Sequence, residues 1–175
     1  MSKKVVFLDR DGVINKEVGY LHKIKDFEFI DGVLDACSHF QSLGFKLIVV
    51  TNQSGIGRGY YGENEFHVVN NWMLAQFGHQ DIEILDVFFC PHGPESGCDC
   101  RKPKPGMFIQ ANNKHNINMK ESWMIGDKEA DIQAANAADI HNTILVKSGH
   151  AIDEESSKAK FILDSIEQAK TVIKY

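Results

Sequence analysis

Asp9 and Asp11 stand directly after the apolar run Val5-Val6-Phe7-Leu8, with Gly12 next in line. Two carboxylates at i and i+2, followed by a glycine that permits a sharp turn, can be aimed at one point. One can attack phosphorus while the other handles the proton of the leaving group. An acidic surface turn has the same spelling, so the pair alone does not decide. Three further stations bear on it. Thr51-Asn52-Gln53 follows a second apolar run, where a hydroxyl and backbone N–H groups can hold phosphate oxygens. Arg101-Lys102-Pro103-Lys104-Pro105 concentrates positive charge suited to an anion, although in isolation it reads as a solvated loop. Gly126-Asp127-Lys128, with Asp131 close behind, offers carboxylates to a hard cation. Magnesium takes one or two carboxylates together with water and phosphate oxygens, which suits this set. Asp131 reads either as a carboxylate supporting that site or as a helix-surface residue.

A different chemistry is written between Cys90 and Cys100. Cys90, His92, Cys98 and Cys100 place three thiols and an imidazole in a short Gly/Pro loop. Cys-x-His and Cys-x-Cys arms can close around one tetrahedral ion, and three sulfurs with one nitrogen suit structural Zn²⁺. A redox pair or an exposed disulfide are the other readings. Cys100 abuts Arg101, so the loop would fix the segment that delivers Arg101 and Lys102. Cys37, on the apolar face of an expected helix, reads as core. His115, His141 and His150 show no partner spacing.

The elements that must position these groups alternate between short apolar runs and amphipathic stretches, the pattern of an α/β fold with a mainly parallel sheet. Strands are expected over 5–8, 45–50, 84–89, 122–125 and 143–146, near-continuously apolar as in strands buried on both faces. Helices are expected from Leu34 to a stop at Gly44, over 63–77, over 105–115 opened by a proline, and over 129–138. Residues 161–173 read as strand followed by helix. Each station then falls at a strand end or in the loop leading from it, where open α/β sheets bind their ligands.

The chain has 175 residues, a length that fits one domain over 1–175 with its own core. A net charge of −5 argues against nucleic-acid or membrane-surface binding, which calls for an excess of Lys and Arg. No apolar stretch approaches the roughly 20 residues of a membrane span, and the N-terminal run is too short for a signal peptide. The expectation is a cytoplasmic protein with reduced cysteines. No long exposed apolar stripe demands a partner, which leaves a monomer as the expected state.

Taken together, Phe7-Leu8-Asp9-Arg10-Asp11-Gly12-Val13, Thr51-Asn52-Gln53, Lys102 and Gly126-Asp127-Lys128-Glu129-Ala130-Asp131 resemble the four motifs of the haloacid dehalogenase-like phosphatases. The resemblance covers Val5 to about Lys147. It implies a Rossmann-like three-layer α/β sandwich without a large cap domain, here carrying a zinc-binding loop at 90–100. It also implies Asp9 as nucleophile, and Asp11 as general acid and then base for the hydrolytic water. Thr51, Arg101 and Lys102 would stabilise the transferring phosphoryl group. Asp9, Asp127 and the backbone carbonyl of Asp11 would hold Mg²⁺.

Within that superfamily the zinc loop resembles those of the D,D-heptose 1,7-bisphosphate phosphatases and the histidinol-phosphate phosphatases. Gly19-Tyr20-Leu21-His22, Phe27 to Val33, and Thr51 to Gly59 look like the heptose group, which removes the 7-phosphate on the route to nucleotide-activated heptose for lipopolysaccharide and other surface glycan. That resemblance implies a substrate-recognition loop at Glu17, Val18, Gly19 and Tyr20, with Asn52, Gln53, Ser54 and Lys128 at the substrate. Arg58, on charge and position alone, is a candidate for the second phosphate or an exposed loop cation. The substrate would be a small sugar phosphate. Histidinol phosphate is the alternative. A nucleic-acid 3′-end phosphatase is disfavoured by the acidic balance. A zinc-stabilised interaction module without activity is disfavoured by the intact stations.

Overall fold

The computed structural model describes residues 1–174. Its strands are β1 (Val5–Leu8), β2 (Lys46–Asn52), β3 (Ile84–Cys90), β4 (Trp123–Gly126), β5 (Asn142–Val146) and β6 (Phe161–Leu163). They form one sheet in the order β3-β2-β1-β4-β5-β6, and every pairing is parallel. The α-helices are α1 (Val33–Ser42), α2 (Ser54–Gly57), α3 (Glu63–Gly78), α4 (Gly106–His115) and α5 (Glu129–Ala137). Among the described residues no separate cap is built, and no helix is long and apolar enough to cross a membrane.

Alternation along β1 divides the core between the two faces of the sheet. Val6 and Leu8 pack with Val33, Phe40, Met73 and Phe77 from α1 and α3. Val5 and Phe7 pack with Met107, Phe108, Ala111 and Ala134 from α4 and α5. Strands buried on both faces need no polar face, which is why these segments read as unbroken apolar runs. The rings of Phe7 and Phe108 meet edge to face at 5.0 Å.

The strand order carries the functional consequence. From β1 the chain builds outward through β2 and β3, then crosses back to β4 and builds the other way. The sheet reverses direction beside β1, so the carboxyl ends of β1 and β4 open into the same crevice. Asp9 leaves β1 and Asp127 leaves β4, and Leu8 pairs with Ile125 in register.

Most expected elements form within a residue or two of their expected bounds. Two differ. Ser54–Gly57 makes a short helical turn that its glycines concealed. The C-terminal segment after β6 is a 3-10 helix over Ile166–Thr171 rather than an α-helix, too short to present a regular amphipathic face.

Truncating the ring that bridges β1 and α4 empties the centre of one core layer. Phe108→Ala should cost about 3–5 kcal/mol, read as a lower urea midpoint with an unchanged denaturant slope.

Candidate active site

β1 ends where its next residue must turn. The Asp9 side chain is nearly buried, and its Oδ1 accepts from the Arg10 backbone N–H at 2.9 Å and from Lys102 Nζ at 3.0 Å. Oδ2 is left facing the crevice. Lys102 reaches this point from the loop before α4 and is itself buried. Its ammonium also meets Asp131 Oδ1 at 2.6 Å and the Val50 carbonyl at 2.9 Å, so all three N–H donors are spent.

Asp131 is no helix-surface residue. It is buried in the first turn of α5, where Oδ2 accepts from the backbone N–H groups of Asp127 and Lys128, both at 3.1 Å. One carboxylate thus caps α5, shapes the turn after β4 and anchors Lys102. Asp127 is fully buried, with Oδ2 accepting from His150 Nδ1 at 2.6 Å and from the His150 N–H at 3.1 Å. Gly12, at φ +86°, and Gly149 press on this carboxylate from two sides, and a Cβ at either would overlap Asp127 Oδ2. The other oxygen, Asp127 Oδ1, is buried without a hydrogen-bond partner.

The charges explain the protonation tendencies. Burial and the neighbouring charge of Asp131 push the Asp9 carboxyl well above its usual range, against the pull of Lys102. Burial opposes the Lys102 ammonium too, yet Asp131 and Asp9 outweigh it and hold its pKa above the ordinary lysine value. Asp9, Asp127 and Asp131 offer oxygens within 4.8 Å of one another, against one ammonium. A cation beside Asp9 and Asp127 would relieve that excess and satisfy the orphaned Asp127 Oδ1. These residues fit a hard divalent ion. Asp131, with both oxygens engaged, supports the site from behind.

Asp11 sits differently. Its Oδ1 accepts from Arg10 Nη2 at 2.9 Å, Arg10 Nε at 3.3 Å and Asn15 Nδ2 at 3.0 Å, and its Oδ2 accepts from Gln53 Nε2 at 3.2 Å. Burial works against its charge, but Arg10 with the Asn15 and Gln53 hydrogen bonds prevails and holds the carboxyl below its ordinary value. Bound phosphate would press the other way, since nearby negative charge favours the protonated acid.

Two adjoining cavities share Asp11, Glu17, Asn52, Lys128 and His150 in their walls. The smaller, of about 80 Å³, is bounded by Asp9, Lys102, Asp127 and Asp131. The larger, of about 330 Å³, is bounded by Gly19, Tyr20, Gln53, Ser54, Arg58, Tyr61 and Arg101. Asp11 lies on the boundary between them.

Several expected site residues take other places. Arg101 lines the larger cavity rather than the one beside Asp9. Thr51 is buried, its Oγ1 accepting from Gln53 Nε2 at 2.8 Å, and it lines neither cavity. Asn52 stays in the walls of both cavities while its amide also clasps the Lys102 backbone, with Oδ1 accepting from N–H and Nδ2 donating to C=O, both at 3.1 Å. Val18 is exposed and outside both cavities, whereas Glu17 accepts from the Gly19 N–H at 2.6 Å and shapes the loop around it. Arg58 lies over the Tyr20 ring at 5.9 Å.

Three residues without a marked role in the sequence prove relevant. Arg10 is buried against Asp11 and Phe66. Tyr61 donates from its hydroxyl to Gln53 Oε1 at 2.5 Å. His150 holds Asp127, and His115 meets Asp86 Oδ2 at 2.7 Å away from the site. Only the acidic residue four positions before Asp131 could have flagged a partner for His150, and it lies 23 residues away in sequence.

The cysteine loop closes as its spacing suggests. Cys90 Sγ lies 3.7 Å from Cys98 Sγ and 3.0 Å from Cys100 Sγ, and His92 Nδ1 lies 3.4 Å from Cys90 Sγ and 3.3 Å from Cys100 Sγ. A tetrahedral ion with bonds of about 2.3 Å to sulfur spaces its ligands by about 3.8 Å. The Cys90–Cys98 spacing matches that figure and the Cys90–Cys100 spacing is tighter; all four donors lie within 4.8 Å of one another, a cluster that could hold one thiophilic ion. Burial pushes the Cys90 thiol up to about 12, while the Ser96 hydroxyl draws Cys98 down to about 6. Arg101 Nη1 donates to the His92 carbonyl at 3.4 Å, tying the loop to the larger cavity.

Comparison with known proteins places this geometry. A HAD-hydrolase-like family model matches residues 99–169. The D-glycero-beta-D-manno-heptose-1,7-bisphosphate 7-phosphatase of Vibrio cholerae is 47% identical, covering 95% of this chain and 94% of its own. The D-glycero-alpha-D-manno-heptose-1,7-bisphosphate 7-phosphatase of Photorhabdus laumondii is 45% identical, covering 89% of each. The D,D-heptose 1,7-bisphosphate phosphatase of B. bronchiseptica, solved with magnesium and phosphate, superposes with a TM-score of 0.84 at 25% identity over 97% of both chains. The chain belongs to the heptose-1,7-bisphosphate 7-phosphatase family of haloacid dehalogenase-like hydrolases.

Proposed function

We propose that this phosphatase removes the 7-phosphate of D-glycero-D-manno-heptose 1,7-bisphosphate through an aspartyl-phosphate on Asp9, in the making of nucleotide-activated heptose in the cytoplasm. The observation that carries the reading is the pair of joined cavities with Asp11 between them. A phosphoryl group in the smaller one sits before Asp9, its sugar occupies the larger one, and the oxygen joining them lies beside Asp11. Full-length likeness to relatives named for this reaction supports the substrate over histidinol phosphate.

Asp9 Oδ2 attacks phosphorus while Oδ1 stays held by Lys102 and the Arg10 N–H. Lys102 acts through its charge, since its donors already hold Asp9, Asp131 and Val50 in place. Asp11 gives its proton to the departing sugar oxygen, then takes one from the water that cleaves the acyl phosphate. Asp9, Asp127 and the Asp11 carbonyl would hold Mg²⁺, whose charge would offset that of the phosphoryl oxygens there. Thr51 keeps Gln53 in place, and Gln53 in turn steadies Asp11.

In the larger cavity Arg101 and Arg58 supply positive charge for the phosphate that remains. Glu17, Gly19, Tyr20, Ser54 and Lys128 line the same cavity. Zn²⁺ at Cys90, His92, Cys98 and Cys100 would hold the loop that presents Arg101 and Lys102.

Side-by-side kinetics test the substrate: kcat/KM should be higher on heptose 1,7-bisphosphate than on histidinol phosphate, and the reverse order would replace the substrate named here. Asp9→Asn should abolish turnover and acyl-phosphate formation with an unchanged circular dichroism spectrum. Elemental analysis of protein purified without chelator should return about one zinc per chain, and Cys98→Ala should lose it; a zinc-free native protein rules out the loop assignment.

A further inference from the structure

The side chain of Arg10, between the two catalytic carboxylates, is one of the most deeply buried in the molecule, with 1% of it exposed. A buried cation must be paired to be tolerated, and this one is paired only in part. Nη2 and Nε grip Asp11 Oδ1, and Nη2 also donates to the Leu21 carbonyl at 3.3 Å. The guanidinium lies 5.9 Å from the centre of the Phe66 ring. Nη1 is buried with no partner at all. The orphaned donor is a standing cost, so packing on Phe66 does not by itself account for an arginine here.

The grip accounts for it. Oδ1 of Asp11 accepts three N–H donors, two from Arg10 and one from Asn15, and so can neither carry a transferable proton nor turn toward substrate. Only Oδ2 is left for the crevice, where 21% of the Asp11 side chain remains exposed. Leu21 belongs to the segment that begins with Glu17, Gly19 and Tyr20 in the cavity wall. A planar fork with several fixed donors can serve both partners at once, whereas an ammonium presents a point charge.

We propose that Arg10 is a positioning residue for proton transfer: it pins Oδ1 of Asp11 so that Oδ2 alone faces the leaving oxygen, and it couples that orientation to the sugar-facing loop through Leu21. The inference rests on the function proposed above. In the step concerned, the bond from phosphorus to the sugar oxygen breaks as the bond to Asp9 forms, and the proton on Asp11 Oδ2 moves to the departing oxygen.

The test uses two leaving groups. A sugar alcohol needs that proton, whereas p-nitrophenolate departs without one. The parameter to compare is kcat/KM, which ends at phosphoryl transfer and excludes the later hydrolysis that both substrates share. In the Mg²⁺-loaded enzyme, Arg10→Met should lower kcat/KM on heptose 1,7-bisphosphate by about 100-fold or more, within the range of a lost general acid. The loss on p-nitrophenyl phosphate should stay within about tenfold, because the acid contributes nothing to that departure. Arg10→Lys keeps the buried charge, guards against misfolding, and should show the same selective loss. Equal losses on the two substrates, with wild type turning over both, would overturn the role of Arg10 alone. A wild-type ratio of the two rates in Arg10→Lys would do the same. Wild type that cleaves p-nitrophenyl phosphate and no sugar phosphate would overturn the functional reading, and this inference with it.

Discussion

The ammonium of Lys102 holds the site together. It is buried, and its three donors reach the residue after β1, the carbonyl of Val50 in β2 and the first turn of α5. Removing one partner of such a buried pair leaves an uncompensated charge, at a cost of about 3–5 kcal/mol. That penalty makes the arrangement close to all-or-none. Asp9, the Lys102 loop and α5 are placed together or not at all. Asn52 adds to this by clasping the Lys102 backbone on both sides, which fixes where the lysine begins its reach.

The same economy runs through the carboxylates. Asp131 spends both oxygens on structure, and Asp127 spends one, leaving a single buried oxygen free beside Asp9. The negative charge that burial makes costly is therefore concentrated where a cation can relieve it. Gly12 and Gly149 are required for the same reason, since any side chain at either would displace the Asp127 carboxylate. A strained, over-negative pocket is a poor way to stabilise a fold and a good way to bind a metal and a phosphate.

Strand ends were legible in the sequence because doubly buried strands are unbroken apolar runs and because ligands collect at their carboxyl ends. Asp9, Lys102 and Asp127 could therefore be assembled before their distances were known, and Cys90, His92, Cys98 and Cys100 could be grouped by spacing. Partnerships that cross the fold could not. His150 reaches Asp127 from beyond β5, and Tyr61 steadies Gln53 from beyond α2. Asn52 and Thr51 have the side chains of ligands, but β2 points their polar atoms at Lys102 and Gln53. Arg10 reads as a spacer between two aspartates until its burial is known. Residue type and order identify what chemistry is available, while assignment among neighbouring polar groups depends on side-chain direction, which only packing decides.

Packing also links the cysteine loop to the larger cavity. Gly57 closes α2 against the cysteine loop so tightly that a Cβ there would come within 2.8 Å of the Pro91 carbonyl and 2.9 Å of the Gly93 nitrogen. Ser54 and Arg58 flank that turn, and Arg101 extends from the loop's other end with a hydrogen bond back to the His92 carbonyl. The two arginines of the larger cavity are therefore both referenced to one loop rather than to separate tethers. On the function proposed above, two arginines meeting one small anion would gain more from a fixed separation than from individual contact strength, because each ordered side chain costs conformational entropy unless its position is already set. An ion held by Cys90, His92, Cys98 and Cys100 would set that separation without occupying any of the cavity.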